Sequence, residues 1–199
     1  MAHTTVAIGA AARPHPSEKV NGDAWVTHHQ DDIWRIAVID GLGHGPDAAR
    51  AAQAAVQALN ARPQAEPAAA IHACHDALVG TRGAAMSVAR IDLRAMRLTY
   101  AGIGNVEAHL WQGGARHRPI SYRGVVGSVM RTVRSFEIAL DGPWLLAIHS
   151  DGLSSRLEIP APGEAWNDPQ ELADALLAQW ARPTDDATVV VATYRPPAP

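Results

Sequence analysis

Apolar residues in this chain come in short stretches, some continuous and some alternating, punctuated by glycine, proline and aspartate. Residues 33–39 (Ile-Trp-Arg-Ile-Ala-Val-Ile) and 144–149 (Trp-Leu-Leu-Ala-Ile-His) are nearly continuous and read as buried strands. Residues 4–10 and 24–28 read as shorter strands, separated by the turn-rich Pro14-His15-Pro16-Ser17 and by Asn21-Gly22. Gly41-Leu42-Gly43-His44-Gly45 is a loop, and Pro46 at a first helical position opens an alanine-rich helix to about Asn60. Its Ala48, Ala52, Ala55, Val56 and Leu59 make a thin apolar stripe that lets the helix sit close to a sheet. A second helix follows Pro67, with Ile71, Cys74 and Leu78 on one face and Gly80 near its end.

The period then changes from helical to twofold. Residues 84–91, 96–101, 106–111, 116–122 and 134–140 alternate like strands, with Gly113-Gly114 as a hairpin turn, so an antiparallel meander is expected. Asp168-Pro169-Gln170-Glu171 carries a capping acid, a first-turn proline and a reciprocal glutamate, and starts a helix that buries Leu172, Leu176 and Trp180. Residues 187–194 form the last strand, and Pro196 to Pro199 cannot extend a sheet. Helices segregated from antiparallel strands predict an α+β layered domain rather than a doubly wound one.

With 199 residues, 47% of them hydrophobic, the chain has the size of one domain, 1–199. A net charge of −3 with acids and bases mixed gives neither a basic patch for nucleic acid nor a polybasic membrane anchor. The start MAHTTVAIG lacks the layout of a signal peptide, no stretch reaches transmembrane length, and Cys74 has no partner cysteine; a cytoplasmic location is expected.

Charge placement changes the picture. Both buried runs end in Asp-Gly, at Asp40-Gly41 and Asp151-Gly152, while Asp23 and Asp185 stand just before strand-like runs. In an antiparallel sheet the end of one strand lies beside the start of its neighbour, so these four acids collect on one edge without burial in a core. Carboxylates and carbonyls suit Mg²⁺ or Mn²⁺, and a single cysteine offers no thiolate cluster for structural zinc. Asp-Gly alone is more often a plain turn. The glycine-rich loop before the first helix lacks the lysine of a nucleotide-binding loop. His75-Asp76 reads as an ordinary helical pair and His28-His29 as a solvated strand end; the tryptophans read as core and sheet cover, with Trp166 placed to meet a protein partner.

In order, Gly22-Asp23, Asp40-Gly41-Leu42-Gly43-His44-Gly45, Gly102-Ile103-Gly104-Asn105, Ser150-Asp151-Gly152 and Asp185-Asp186-Ala187-Thr188 resemble the motifs of the metal-dependent serine/threonine protein phosphatases of the PPM (protein phosphatase 2C-like) family. The likeness spans essentially the whole chain and points to the bacterial SpoIIE/RsbX-like branch of sporulation and stress-response enzymes. It implies a four-layer α-β-β-α sandwich of two antiparallel sheets flanked by helix pairs, with two Mn²⁺ or Mg²⁺ ions at one end. Under it, Asp40 matches the bridging aspartate, Gly41 a carbonyl ligand, Asp151 and Asp185 terminal ligands, and Asp23 an early acid acting directly or through water. Asp186 matches a supporting position, and Asn105 lies in a motif beside the site.

The implied activity is hydrolysis of phosphoserine or phosphothreonine on a cytosolic regulatory protein, a STAS-domain stressosome or partner-switching protein, by a monomer or weak dimer. Such an ester is among the slowest to hydrolyse unaided. Two ions roughly 3.5–4 Å apart can bridge a water, lower its pKa and aim the resulting hydroxide at phosphorus. Where many eukaryotic relatives place a histidine, two residues after the bridging aspartate, this chain has Leu42; His44, two residues further along the loop, is a candidate general acid, with a metal-bound water as the alternative proton source. No counterpart of the early phosphate-binding arginine is evident. The competing expectation is a catalytically weak fold that binds a phosphorylated partner. The 123–128 segment is expected to form a flexible flap near the substrate.

Overall fold

The computed structural model describes residues 6–196; Thr4 and Thr5 of the first expected strand, and the tail beyond Pro196, lie outside them. The strands are β1 (Ala7–Arg13), β2 (Asp23–Gln30), β3 (Ile33–Gly41), β4 (Ala84–Asp92), β5 (Arg97–Ile103), β6 (Glu107–Gln112), β7 (Ala115–His117), β8 (Phe136–Ala139), β9 (Trp144–His149) and β10 (Ala187–Tyr194). The helices are α1 (Pro46–Ala61), α2 (Pro67–Ala77) and α3 (Pro169–Trp180). Two antiparallel five-stranded sheets result, one ordered β1-β10-β9-β6-β7 and the other β2-β3-β4-β5-β8.

Alternation along the strands sends one set of side chains between the sheets, where Ile36, Val38, Tyr100, Leu110, Trp144, Ile148 and Val190 share one core. The opposite set of the β2-β3-β4-β5-β8 sheet meets α1 and α2 through Ala37, Ile39, Ala52, Leu59, Ile71 and Met86. Alanine on α1 brings that helix close: a Cβ on Gly41 would lie 2.2 Å from the Ala48 carbonyl oxygen. On the other outer face α3 covers β1 and β10, helped by Leu153, Leu157, Ile159 and Trp166 from the preceding loop. Among the described residues that face therefore carries one α-helix, with loop side chains in place of the second.

Some expectations change. The alternation at 116–122 yields only β7, because Pro119 has no N–H for a ladder and the chain leaves the sheet before it. Trp166 does not await a partner: it is 2% exposed, and its indole N–H donates to the Pro160 carbonyl. Trp25, in contrast, is 42% exposed rather than core. His75 reaches beyond its helix, its Nδ1 accepting the Gly127 N–H at 3.0 Å.

Candidate active site

Strand pairing assembles the acids. Asp23 at the start of β2 lies directly opposite Asp40 near the end of β3. Asp151 follows β9 and Asp185 precedes β10, which are neighbours in the other sheet. Asp40 and Asp151 come within hydrogen-bonding reach, and the charges of Asp23 and Asp185 both act on Asp40. The four predicted carboxylates thus gather at one end of the sandwich, two from each sheet, near enough for the other three to act on Asp40 by charge. The expectation that none is buried fails for Asp23, which is only 7% exposed because it points into the seam between the sheets.

Short polar contacts hold this cluster. Ser150 donates its hydroxyl to Asp23 Oδ2 at 2.6 Å and accepts the Thr188 N–H at 3.0 Å, tying β2 to the opposite sheet. Asn105 Nδ2 donates to Asp151 Oδ2 at 2.5 Å. Asp186 is buried; its Oδ1 accepts the His15 N–H at 2.8 Å, while its Oδ2 has no partner among the described residues. Gly22 leaves room there, since a Cβ would come within 2.5 Å of that oxygen. At the rim, His44 Nδ1 lies 2.9 Å from Glu18 Oε1, and the His15 and His44 rings stack with centroids 4.4 Å apart.

Ser150, His15 and Glu18 escaped the sequence reading. Ser150 was in view within Ser-Asp-Gly, but nothing local assigned it a partner. His15 and Glu18 stand in a turn-rich stretch where no periodicity marks a contact with the centre.

The electrostatics show what the cluster lacks. Burial, then the charges of Asp23, Asp151 and Asp185, push the Asp40 carboxyl up to about 9. Burial, reinforced by Asp186 and Asp185 and opposed by the Ser150 hydroxyl, pushes Asp23 up to about 7. Asp185 is also raised, by burial first and Asp151 next. The ion pairs among the described residues all involve other acids. An all-oxygen cluster whose acids form no ion pair among the described residues fits hard divalent ions of the Mg²⁺ and Mn²⁺ kind.

Known proteins place the chain as a whole. The stage II sporulation protein E (SpoIIE) family matches residues 30–195. The phosphoserine phosphatase RsbX of Bacillus subtilis (strain 168) is 23% identical over 175 residues, 87% of either chain. RsbX in complex with magnesium superposes with a TM-score of 0.82 at 21% identity, over 95% of each chain. A chain solved in work on the bacterial stressosome, as a modular system adapted to control secondary messenger signalling, gives 0.87 at 27% identity, over 94% of this chain and 99% of its own. The catalytic domain of the serine threonine protein phosphatase PstP, in complex with two manganese ions, gives 0.69 at 18% identity, over 96% and 99%. Fold and family agree with the resemblance in the motifs: this chain belongs to the SpoIIE family of PPM-type protein phosphatases.

Proposed function

We propose that the enzyme removes phosphate from serine or threonine of a cytosolic regulatory protein, using Mg²⁺ or Mn²⁺ held by Asp23, Asp40, the Gly41 carbonyl, Asp151 and Asp185. The observation that carries this reading is the cross-strand Asp23–Asp40 pair meeting Asp151 and Asp185 from the second sheet, with Asp40 and Asp23 held far above their ordinary range. The magnesium in RsbX and the two manganese ions in PstP support the same kind of centre here. When bound, the ions supply Lewis acidity towards the phosphoryl oxygens and make water acidic enough to attack near neutral pH.

The protein's own part is positioning and proton supply. Ser150 orients Asp23, and Asn105 orients Asp151 by occupying its Oδ2. His44 gives the proton to the departing seryl or threonyl oxygen; Glu18 at Nδ1 fixes the ring and leaves Nε2 for the transfer. The likeness to RsbX and to the stressosome chain favours a STAS-domain or similar partner-switching protein as substrate. No helix among the described residues is long and apolar enough to cross a membrane.

The test is phosphate release from a phosphoserine peptide and an aryl phosphate with Mn²⁺, Mg²⁺ or chelator. Asp40→Asn and Asp151→Asn are expected to lower metal-dependent release by at least about 100-fold. A folded wild-type chain that releases no phosphate with either ion would leave only a phosphoprotein-binding module.

A further inference from the structure

We propose that Glu107, His109 and His149 form a second metal site, of the zinc type, distinct in donor chemistry from the aspartate centre. β6 and β9 are neighbours with Glu107 directly opposite His149, and His109, two residues along β6, shares their face of the sheet. The two imidazoles meet with Nε2 atoms 3.2 Å apart, and Glu107 Oε2 lies 3.8 Å from His109 Nε2. All three donor atoms fall within 4.8 Å of one another. Zinc–nitrogen bonds of 2.0–2.1 Å in a tetrahedron separate the ligand atoms by about 3.3 Å, close to the histidine spacing here. Two nitrogens and a carboxylate oxygen make a three-ligand zinc set with the fourth position left for water.

The surroundings prepare His149 above all, whereas the buried His109 Nδ1 has no partner among the described residues. His149 donates its Nδ1–H to the Ser150 carbonyl at 2.8 Å, the arrangement metal-ligating histidines commonly adopt, so its lone pair sits on Nε2. Both rings are 2% exposed, which fixes their orientation. His109 is held neutral: burial first, then His149, Arg116 and Arg118, push it down to about 3. The same arginines oppose a cation, and the Glu107 carboxylate supplies the compensating charge. A proton shared between the imidazoles accounts for the histidine pair alone, whereas a cation also accounts for the converging carboxylate. Ser150, whose carbonyl holds His149, gives its hydroxyl to Asp23, so this site abuts the catalytic centre through a single residue.

The full chain, stripped with chelator, would be loaded with Zn²⁺ under excess Mg²⁺ to occupy the aspartates, then desalted for metal analysis and zinc K-edge absorption spectroscopy. One zinc per chain with imidazole scattering is expected, retained in Asp40→Asn and bound at least about tenfold more weakly in His109→Gln and Glu107→Gln. Glu107 is 48% exposed, so Glu107→Gln keeps the fold even where His109→Gln does not. No zinc on the folded wild-type chain, no imidazole signature, or zinc undiminished in Glu107→Gln would overturn the site. Phosphatase activity does not enter the readout, so either result is independent of the catalytic reading.

Discussion

Ser150 carries more of the centre than its size implies, because its hydroxyl both donates to Asp23 and accepts from the Thr188 backbone. Ser150→Ala strands a buried carboxylate oxygen and a buried N–H, at an expected cost of about 1–3 kcal/mol in urea unfolding. A loss below about 0.5 kcal/mol would mean that the hydroxyl is dispensable. His44 makes a different prediction, since a general acid matters only when the leaving group needs a proton. His44→Gln should slow a phosphoserine peptide by about 100-fold and scarcely affect p-nitrophenyl phosphate. Equal effects on the two substrates would remove His44 from the proton path. The aspartates were legible in the sequence because each marks a strand terminus beside glycine or a strand start. The contacts of Ser150 with Asp23 and of His15 with Asp186 were not, because they join positions 127 and 171 residues apart and leave no local pattern.

Among the elements, β3 shows where pattern reading succeeds and where it stops. Its apolar run predicted a buried strand correctly, yet Arg35 within it is 1% exposed and donates to the Leu59 and Arg62 carbonyls at 2.6 Å. A cation there satisfies carbonyls at the C-terminal end of α1, where the helix dipole favours positive charge. Arg35→Met should therefore destabilise the fold by about 2–3 kcal/mol, measured by chemical denaturation, although methionine suits the core better by hydrophobicity alone. A neutral result would show that water satisfies those carbonyls instead. The same limit explains the 123–128 segment, expected as a flexible flap because it lies between strand-like runs. Tyr122 pairs with Gly102 and Gly104, Val126 exchanges both backbone bonds with Ala84, and Gly127 donates to His75. Local composition reports the freedom of the chain, and only the fold shows which distant groups remove it.

At the scale of the whole molecule, the centre lies across the seam between the sheets, with Asp23 and Asp40 from one and Asp151 and Asp185 from the other. We propose that the shared core makes them one cooperative unit, in which the metal acts as a staple. Without metal, the raised Asp40 and Asp23 carboxyls keep protons that the unfolded chain, with ordinary values of 3.8, gives up. Their contribution is fully present below about pH 4 and is lost as pH rises through about 7 and 9. The buried Cys74 thiol, pushed up from 9.0 to about 12, adds to the decline only towards pH 9, so Asp40→Asn isolates the share of the falling stability of chelated protein that belongs to these carboxyls. Divalent metal takes the place of the protons, and at 100 times its Kd it should add about 2.7 kcal/mol. For a chain of this size that corresponds to a rise in Tm of roughly 5–10 °C. The gain should be larger at pH 8 than at pH 6, because protons and metal compete for the same oxygens. Asp40→Asn should flatten the decline of the chelated protein and shrink the metal gain together. A wild-type Tm that ignores pH from 7 to 9 under chelator, or a metal gain that survives Asp40→Asn intact, would place the ions away from this seam.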